Sequence, residues 1–136
     1  MASIMTLNSW QPPTAVSQFN IDHQVLQKFI SLSEVQLNSI DQHIDNELIK
    51  NQQPLMKLGK EAWSRVGDGL NNEEIIHLIR FFTKAESQLP GWEAGAESPV
   101  IWLVKVLRKR KAPPSKELLL WIRTHSDNRF LPNGAL

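Results

Sequence analysis

Apolar residues along this chain recur at helical spacing in five stretches, and no stretch alternates apolar and polar residues as a half-buried strand does. The longest stretch opens after Asn20 or Asp22, both competent N-caps. Leu26, Ile30, Ser33, Leu37, Ile40, Ile44 and Glu47 then follow in alternating steps of four and three, a heptad-like seam with two polar interruptions. Val25, Phe29 and Leu32 widen its first half. The spacing predicts a helix to Lys50, roughly 42 Å long if unbroken, and Ser31-Leu32-Ser33-Glu34 has the form of a capping box that would break or kink it. Such a seam serves either as the spine of an intramolecular bundle or as the contact between two copies of the chain, a homodimer.

A second helix is expected from Pro54 to Gly67, with Leu55, Leu58, Ala62 and Val66 on one face and Trp63 beside them. Gly67-Asp68-Gly69 supplies the turn. A third starts at Asn71 or Asn72, carries Glu73 and Glu74 where the macrodipole favours negative charge, and buries Ile75, Leu78, Ile79, Phe82, Ala85 and Leu89. Pro90-Gly91 ends it, and an acidic loop follows over Gly91–Glu97. Ser98-Pro99 is an N-cap and N1 pair for a fourth helix, Pro99–Lys111, apolar nearly all round in its first half and therefore expected to be central. Ala112-Pro113-Pro114 stops it. Ser115 caps a fifth, Lys116–Ser126, with Leu118, Trp121, Ile122 and His125 on one face. The tail Asp127–Leu136 offers Phe130 as an anchor and Pro132-Asn133-Gly134 as a turn. Residues 1–20, with Trp10, Pro12, Pro13 and Phe19 and no periodicity, read as an extended arm, either laid over its own core or used to dock a partner. The expected fold is all-α: a compact bundle of four to five helices over residues 21–136, forming a single helical domain, with an extended N-terminal arm.

Composition narrows the classes. A chain of 136 residues suits one domain, and its 41% hydrophobic and 21% charged content lie in the globular range. The absence of cysteine excludes disulfides, thiolate catalysis and cysteine-ligated metals. The N-terminus has no basic region followed by an apolar one, and the longest strongly apolar run, Val100–Val104, falls far short of the ~20 residues that span a bilayer. A soluble, cytoplasmic protein without a membrane partner is the expectation, and Trp121–Gly134 has the character of a bacterial helical protein.

Charge changes the picture most. Residues 1–100 carry seven Lys/Arg and twelve Asp/Glu, net −5, whereas residues 101–136 carry eight Lys/Arg and two Asp/Glu, net +6. The candidate anion- or partner-binding residues are therefore Lys105, Arg108, Lys109, Arg110, Lys111, Lys116, Arg123 and Arg129. Clustered cations bind phosphates by releasing condensed counterions, and arginine adds bidentate contacts. The plainer reading is a solvated helix end, where cations offset the macrodipole without any partner. A DNA-reading helix-turn-helix fits poorly, because Lys116–Ser126 spends Leu118 to Ile122 on apolar residues and leaves only Lys116, Arg123 and Thr124 to face bases.

Catalytic chemistry is thinly represented. Glu74-Ile-Ile-His77 has the Glu-x-x-His spacing of di-iron bundles, but no second such pair exists. His43 and Glu47 stand one helical turn apart within what reads as a solvated acidic face. There is no Gly-x-Ser-x-Gly elbow and no dinucleotide-binding glycine motif, and Gly67-Asp68-Gly69 lacks the lysine of a phosphate loop. His125, Trp102 and Trp121 read as packed core residues. No catalytic residue, metal ligand or cofactor is assigned. The expected function is that of a small non-enzymatic regulatory or adaptor protein acting through a protein partner. Non-specific nucleic-acid binding by the basic C-terminal helices is the alternative, and a small helical enzyme built on Glu74 and His77 is the third class.

Overall fold

The computed structural model describes residues 19–134. It is all-α, with seven helices and no strand among those residues. They are α1 (His23–Val35), α2 (Ile40–His43), α3 (Asn46–Asn51), α4 (Lys60–Asp68), α5 (Asn72–Gln88), α6 (Pro99–Lys109) and α7 (Lys116–His125), with single 3₁₀ turns at Leu37–Ser39, Gln53–Lys57 and Gly95–Glu97. None is long and apolar enough to cross a membrane. Of the arm expected over residues 1–20, all but Phe19 and Asn20 lie outside the described residues, and Phe19 packs half-buried against the core.

Local chemistry starts these helices where polar side chains accept otherwise orphaned backbone N–H groups. Asp22 accepts from the Gln24 N–H, Ser98 from Val100 and Ser115 from Leu118. Asn71 and Glu74 form a reciprocal capping box at the start of α5.

Two of the expected helices are corrected, which raises the count from four or five to seven. The first does not run to Lys50: α1 stops at Val35, and the chain restarts as α2 and, after extended Ile44, as α3 with Asp45 as its cap. The break comes after Gln36, not at the Ser31–Glu34 box. It is held by Gln88 of α5, whose carbonyl accepts the Ile40 N–H at 3.0 Å and whose amide donates to the Leu37 carbonyl at 2.9 Å. A straight rod of roughly 42 Å would overhang α5, about 26 Å long, and leave half its seam in water. Broken, it wraps Leu26, Ile30, Ile40 and Ile44 into the chain's own interior. The seam is therefore not available to a second copy. The second expected helix likewise divides, into the 3₁₀ turn with Leu55 and Met56 and the helix α4, separated at Gly59, whose φ of 87° lies in the left-handed region.

Helix α5 is the hub of the packing, and the fourth expected helix, α6, is buried along much of its length beside it. α1, α2, α6 and α7 all pack on α5, while α6 lies between α5 and α4. Five rings meet there. Phe29 stacks on Phe81 at 4.1 Å between centroids, Phe82 stands edge-on to Phe29, Phe81 and Trp63, and Trp92 stands edge-on to Phe29 and Phe81. All five are fully buried, including Trp92 from the acidic loop, whose indole N–H donates to the Ile49 carbonyl at 2.9 Å. That bond fastens the loop to α3.

The approach of α4 to α6 depends on Gly67. A Cβ there would lie 2.8 Å from Val106 Cγ1, and a β-branched side chain within a helix cannot turn away. Gly67→Ala is expected to lower stability by about 1–3 kcal/mol, measured by urea denaturation. Adding Val106→Ala to it should cost less than the sum of the two single changes, because the pair shares one contact.

Candidate functional site

The eight basic candidates divide between one structural residue and seven exposed ones. On α6, Lys105, Arg108 and Lys109 occupy i, i+3 and i+4 and share the exposed face, opposite buried Val104, Val106 and Leu107. The Lys105 ammonium lies over the Trp102 ring at 5.3 Å. The helix closes with Lys111 at a φ of 61°, and the Ala112 N–H bonds back to Leu107 while the Lys111 N–H bonds to Arg108. This turn holds Lys111 out in solvent and sends the chain toward α7. Lys116 is exposed in the first turn of α7 and Arg123 in its last. Arg129 is exposed beyond α7, its guanidinium 5.0 Å from the Phe130 ring centroid.

Arg110 is corrected from the binding set. Its guanidinium folds back onto the end of α4, where it donates to the carbonyls of Gly67 and Leu70 and to Asn72 Oδ1. Those carbonyls terminate α4, so Arg110 caps one helix from another.

Two clefts flank the segment that follows α7. One, of about 360 Å³, is lined by Arg123, Asp127, Arg129 and Asn133. Asn133 Oδ1 accepts from Arg108 Nη2 at 2.7 Å, which ties this segment to α6. The other, of about 450 Å³, is lined by Glu86, Glu93, Asp127, Arg129 and Phe130.

Glu86 is a buried carboxylate on α5. It accepts from Ser98 Oγ at 2.6 Å, the Ala94 N–H at 3.2 Å and Asn128 Nδ2 at 3.0 Å, and Asn128 also donates to the Gly95 carbonyl. It thus ties α5 to the start of α6 and to the chain beyond α7. Burial pushes its pKa up, against the opposing pull of these three donors and of Lys57. Sequence reasoning missed Glu86, although it stands one turn after Phe82 on the inward side of α5 and so carried a signal. Asn128 and Asn133 carried none.

Neither oxygen of Glu74 is free for metal or proton chemistry, since one accepts the Asn71 N–H and the other the Gln27 amide. Both bonds favour its ionised form and hold its pKa low. His77 pairs instead with Ser33, Oγ to Nδ1 at 3.1 Å, and with Glu34 at 3.8 Å. Ser33 is buried, and this polar seam joins α1 to α5. His43 and Glu47 are both exposed and sit on different helices, α2 and α3. Among the described residues, no group of three or more His, Asp or Glu side chains is placed to hold a metal ion. His125 is exposed, not packed: it stacks on Trp121 at 4.5 Å and bonds to the Trp121 carbonyl, while Arg80 covers that ring. Trp102 and Trp121 are likewise half-buried, and the tryptophans of the core are Trp63 and Trp92.

Arg110→Ala is expected to cost about 1–2 kcal/mol in urea denaturation, because it leaves the Leu70 carbonyl without a donor and removes one of the two donors of the Gly67 carbonyl. Glu86→Gln keeps a carbonyl for Ala94 and Asn128 and removes the buried charge. Since the folded state raises the Glu86 pKa, wild type loses stability as pH rises from the ordinary carboxylate range through the folded value. The variant should therefore gain on wild type between acid and neutral pH, as read by urea denaturation at each. The chain as a whole matches no family model, no curated protein and no solved structure.

Proposed function

We propose that the protein is a small non-enzymatic adaptor that binds an acidic protein partner through the basic face of α6, α7 and the segment after α7. The observation that carries this reading is the set of seven exposed cations there: Lys105, Arg108, Lys109, Lys111, Lys116, Arg123 and Arg129. No lysine or arginine among the described residues has a carboxylate within 4.0 Å, so what sets these seven apart is their excess over the two carboxylates, Glu117 and Asp127, of the same stretch of chain. Helix capping accounts for Arg110 and leaves the other seven without an internal role of that kind. Charges left unpaired on one face repel one another, and an acidic partner relieves that repulsion and steers association. Leu120, 63% exposed on α7 between Lys116 and Arg123, adds apolar contact of the kind protein interfaces mix with arginine. Glu117 and Asp127 in the same region disfavour a continuous phosphate backbone.

Non-specific nucleic-acid binding is the second reading. It is favoured by Trp102 beneath Lys105 and by the Trp121–His125 stack, half-exposed rings beside cations that can receive bases.

Fluorescence anisotropy with a labelled polyglutamate peptide and a labelled single-stranded DNA separates the two. The peptide should bind at low salt, weaken steeply between about 50 and 200 mM salt, and lose at least tenfold in affinity when Lys105, Lys109, Lys111 and Lys116 are replaced by Gln. Arg108 and Arg110 stay in place, because both hold the fold through hydrogen bonds. Binding of DNA but not of the peptide selects the second reading, and binding of neither at low salt refutes both.

A further inference from the structure

We propose that the cleft between the end of α7 and the following segment binds a phosphate monoester carried on a side chain of the partner protein. This inference rests on the basic-face reading above and narrows it to one recognition group.

Arginines, and no lysine, supply the cations of this cleft. Arg123 and Arg129 line it, and the lining residue Asn133 is itself bonded to Arg108, which does not line the cleft. The guanidinium groups of Arg123 and Arg129 make no hydrogen bond or ion pair among the described residues, so their donors remain available. Arg129 is steadied by the Phe130 ring and Asn133 by Arg108, so part of the ordering that a ligand would otherwise impose is already in place. A planar fork of N–H donors matches two oxygens of a tetrahedral oxyanion, and a phosphate monoester presents three acceptor oxygens with a charge near −2 at neutral pH. Two lining arginines against the single lining carboxylate Asp127 leave the cleft a net positive charge and two guanidinium forks, which suit the several oxygens of a dianion better than the single charge of a glutamate side chain.

Size and openness identify the source. At about 360 Å³ the cleft is at the small end of ligand sites. Arg123, Asp127, Arg129 and Asn133 are all exposed, so the walls do not close over an occupant. A free metabolite is held by sites that bury most of its surface. An open arginine cleft instead grips one group and leaves the rest of its carrier outside.

The test uses the full chain and a fluorescent acidic peptide with a single serine, phosphorylated or not, at physiological salt. The phosphorylated form should bind at least tenfold tighter. Arg123→Gln and Arg129→Gln should each remove most of that preference, and Arg123→Lys, which keeps charge but not the fork, should retain only part of it. Lys105→Gln and Lys109→Gln, outside the cleft, should weaken both peptides equally and leave the preference intact. Inorganic phosphate should displace the phosphopeptide only at concentrations far above the peptide's Kd. If the two peptides bind equally, the cleft proposal fails while the basic-face reading stands. If the preference survives Arg123→Gln and Arg129→Gln, the phosphate sits elsewhere and the proposal fails. If inorganic phosphate binds as tightly as the phosphopeptide, the site is one for a free anion. If neither peptide binds wild type even at low salt, both readings fall together.

Discussion

The structure is organised around the rings that meet on α5. Phe81 and Phe82 are adjacent in sequence and yet both fully buried, which a helix allows only when it is covered on more than one side. Phe29 from α1 stacks flat on Phe81, Trp63 from α4 meets Phe82 edge-on, and Trp92 reaches in from the loop that precedes α6. Large rings in a close-packed interior admit few arrangements. Four separate stretches of chain are fixed relative to one another by one cluster, and the remaining packing follows from it: α1 must break after Gln36 to keep its apolar seam on α5, and α6 must press against Gly67 to fit between α5 and α4.

Polar groups join the cluster's periphery to α7 and the segment that follows it. Gln88 and Glu86 lie in the last turn of α5. Gln88 receives the break between α1 and α2, and Glu86 receives Asn128 from beyond α7. Helix α7 contributes only Leu118 and Ile122 to the buried set, so its position owes much to the hydrogen bonds that follow it. Glu86–Asn128 and Arg108–Asn133 anchor the segment that separates the acidic cleft from the basic one. Holding that segment down costs the burial of a carboxylate.

The fold gathers part of the charge that the sequence concentrates after residue 100. Arg123 and Arg129 line one cleft and Arg108 bonds to Asn133 of its lining, whereas Arg110 turns away because the main chain of α4 ends within its reach.

Much of this was legible from residue order. Caps such as Asn71, Ser98 and Ser115, the prolines at 99, 113 and 114, and the apolar stripe of α5 act through neighbours three or four residues away, and such local chemistry is written in the sequence itself. So are the all-α class and the concentration of positive charge after residue 100. Long-range partners decided the rest. Whether the seam from Leu26 to Ile44 is one rod or three pieces depended on Gln88, some fifty residues away. Whether Trp92 or Trp102 entered the core depended on an acceptor at Ile49 and on where the rings of α5 had room. Arg110 and Arg108 are alike in sequence, two residues apart on one helix, and only the nearness of the α4 carbonyls to one and of Asn133 to the other made the first a cap and tied the second to the segment after α7. Local periodicity determines which face of a helix is apolar, but a side chain's role is set by the groups that the fold brings within about 3 Å of it, and no spacing along the chain encodes those.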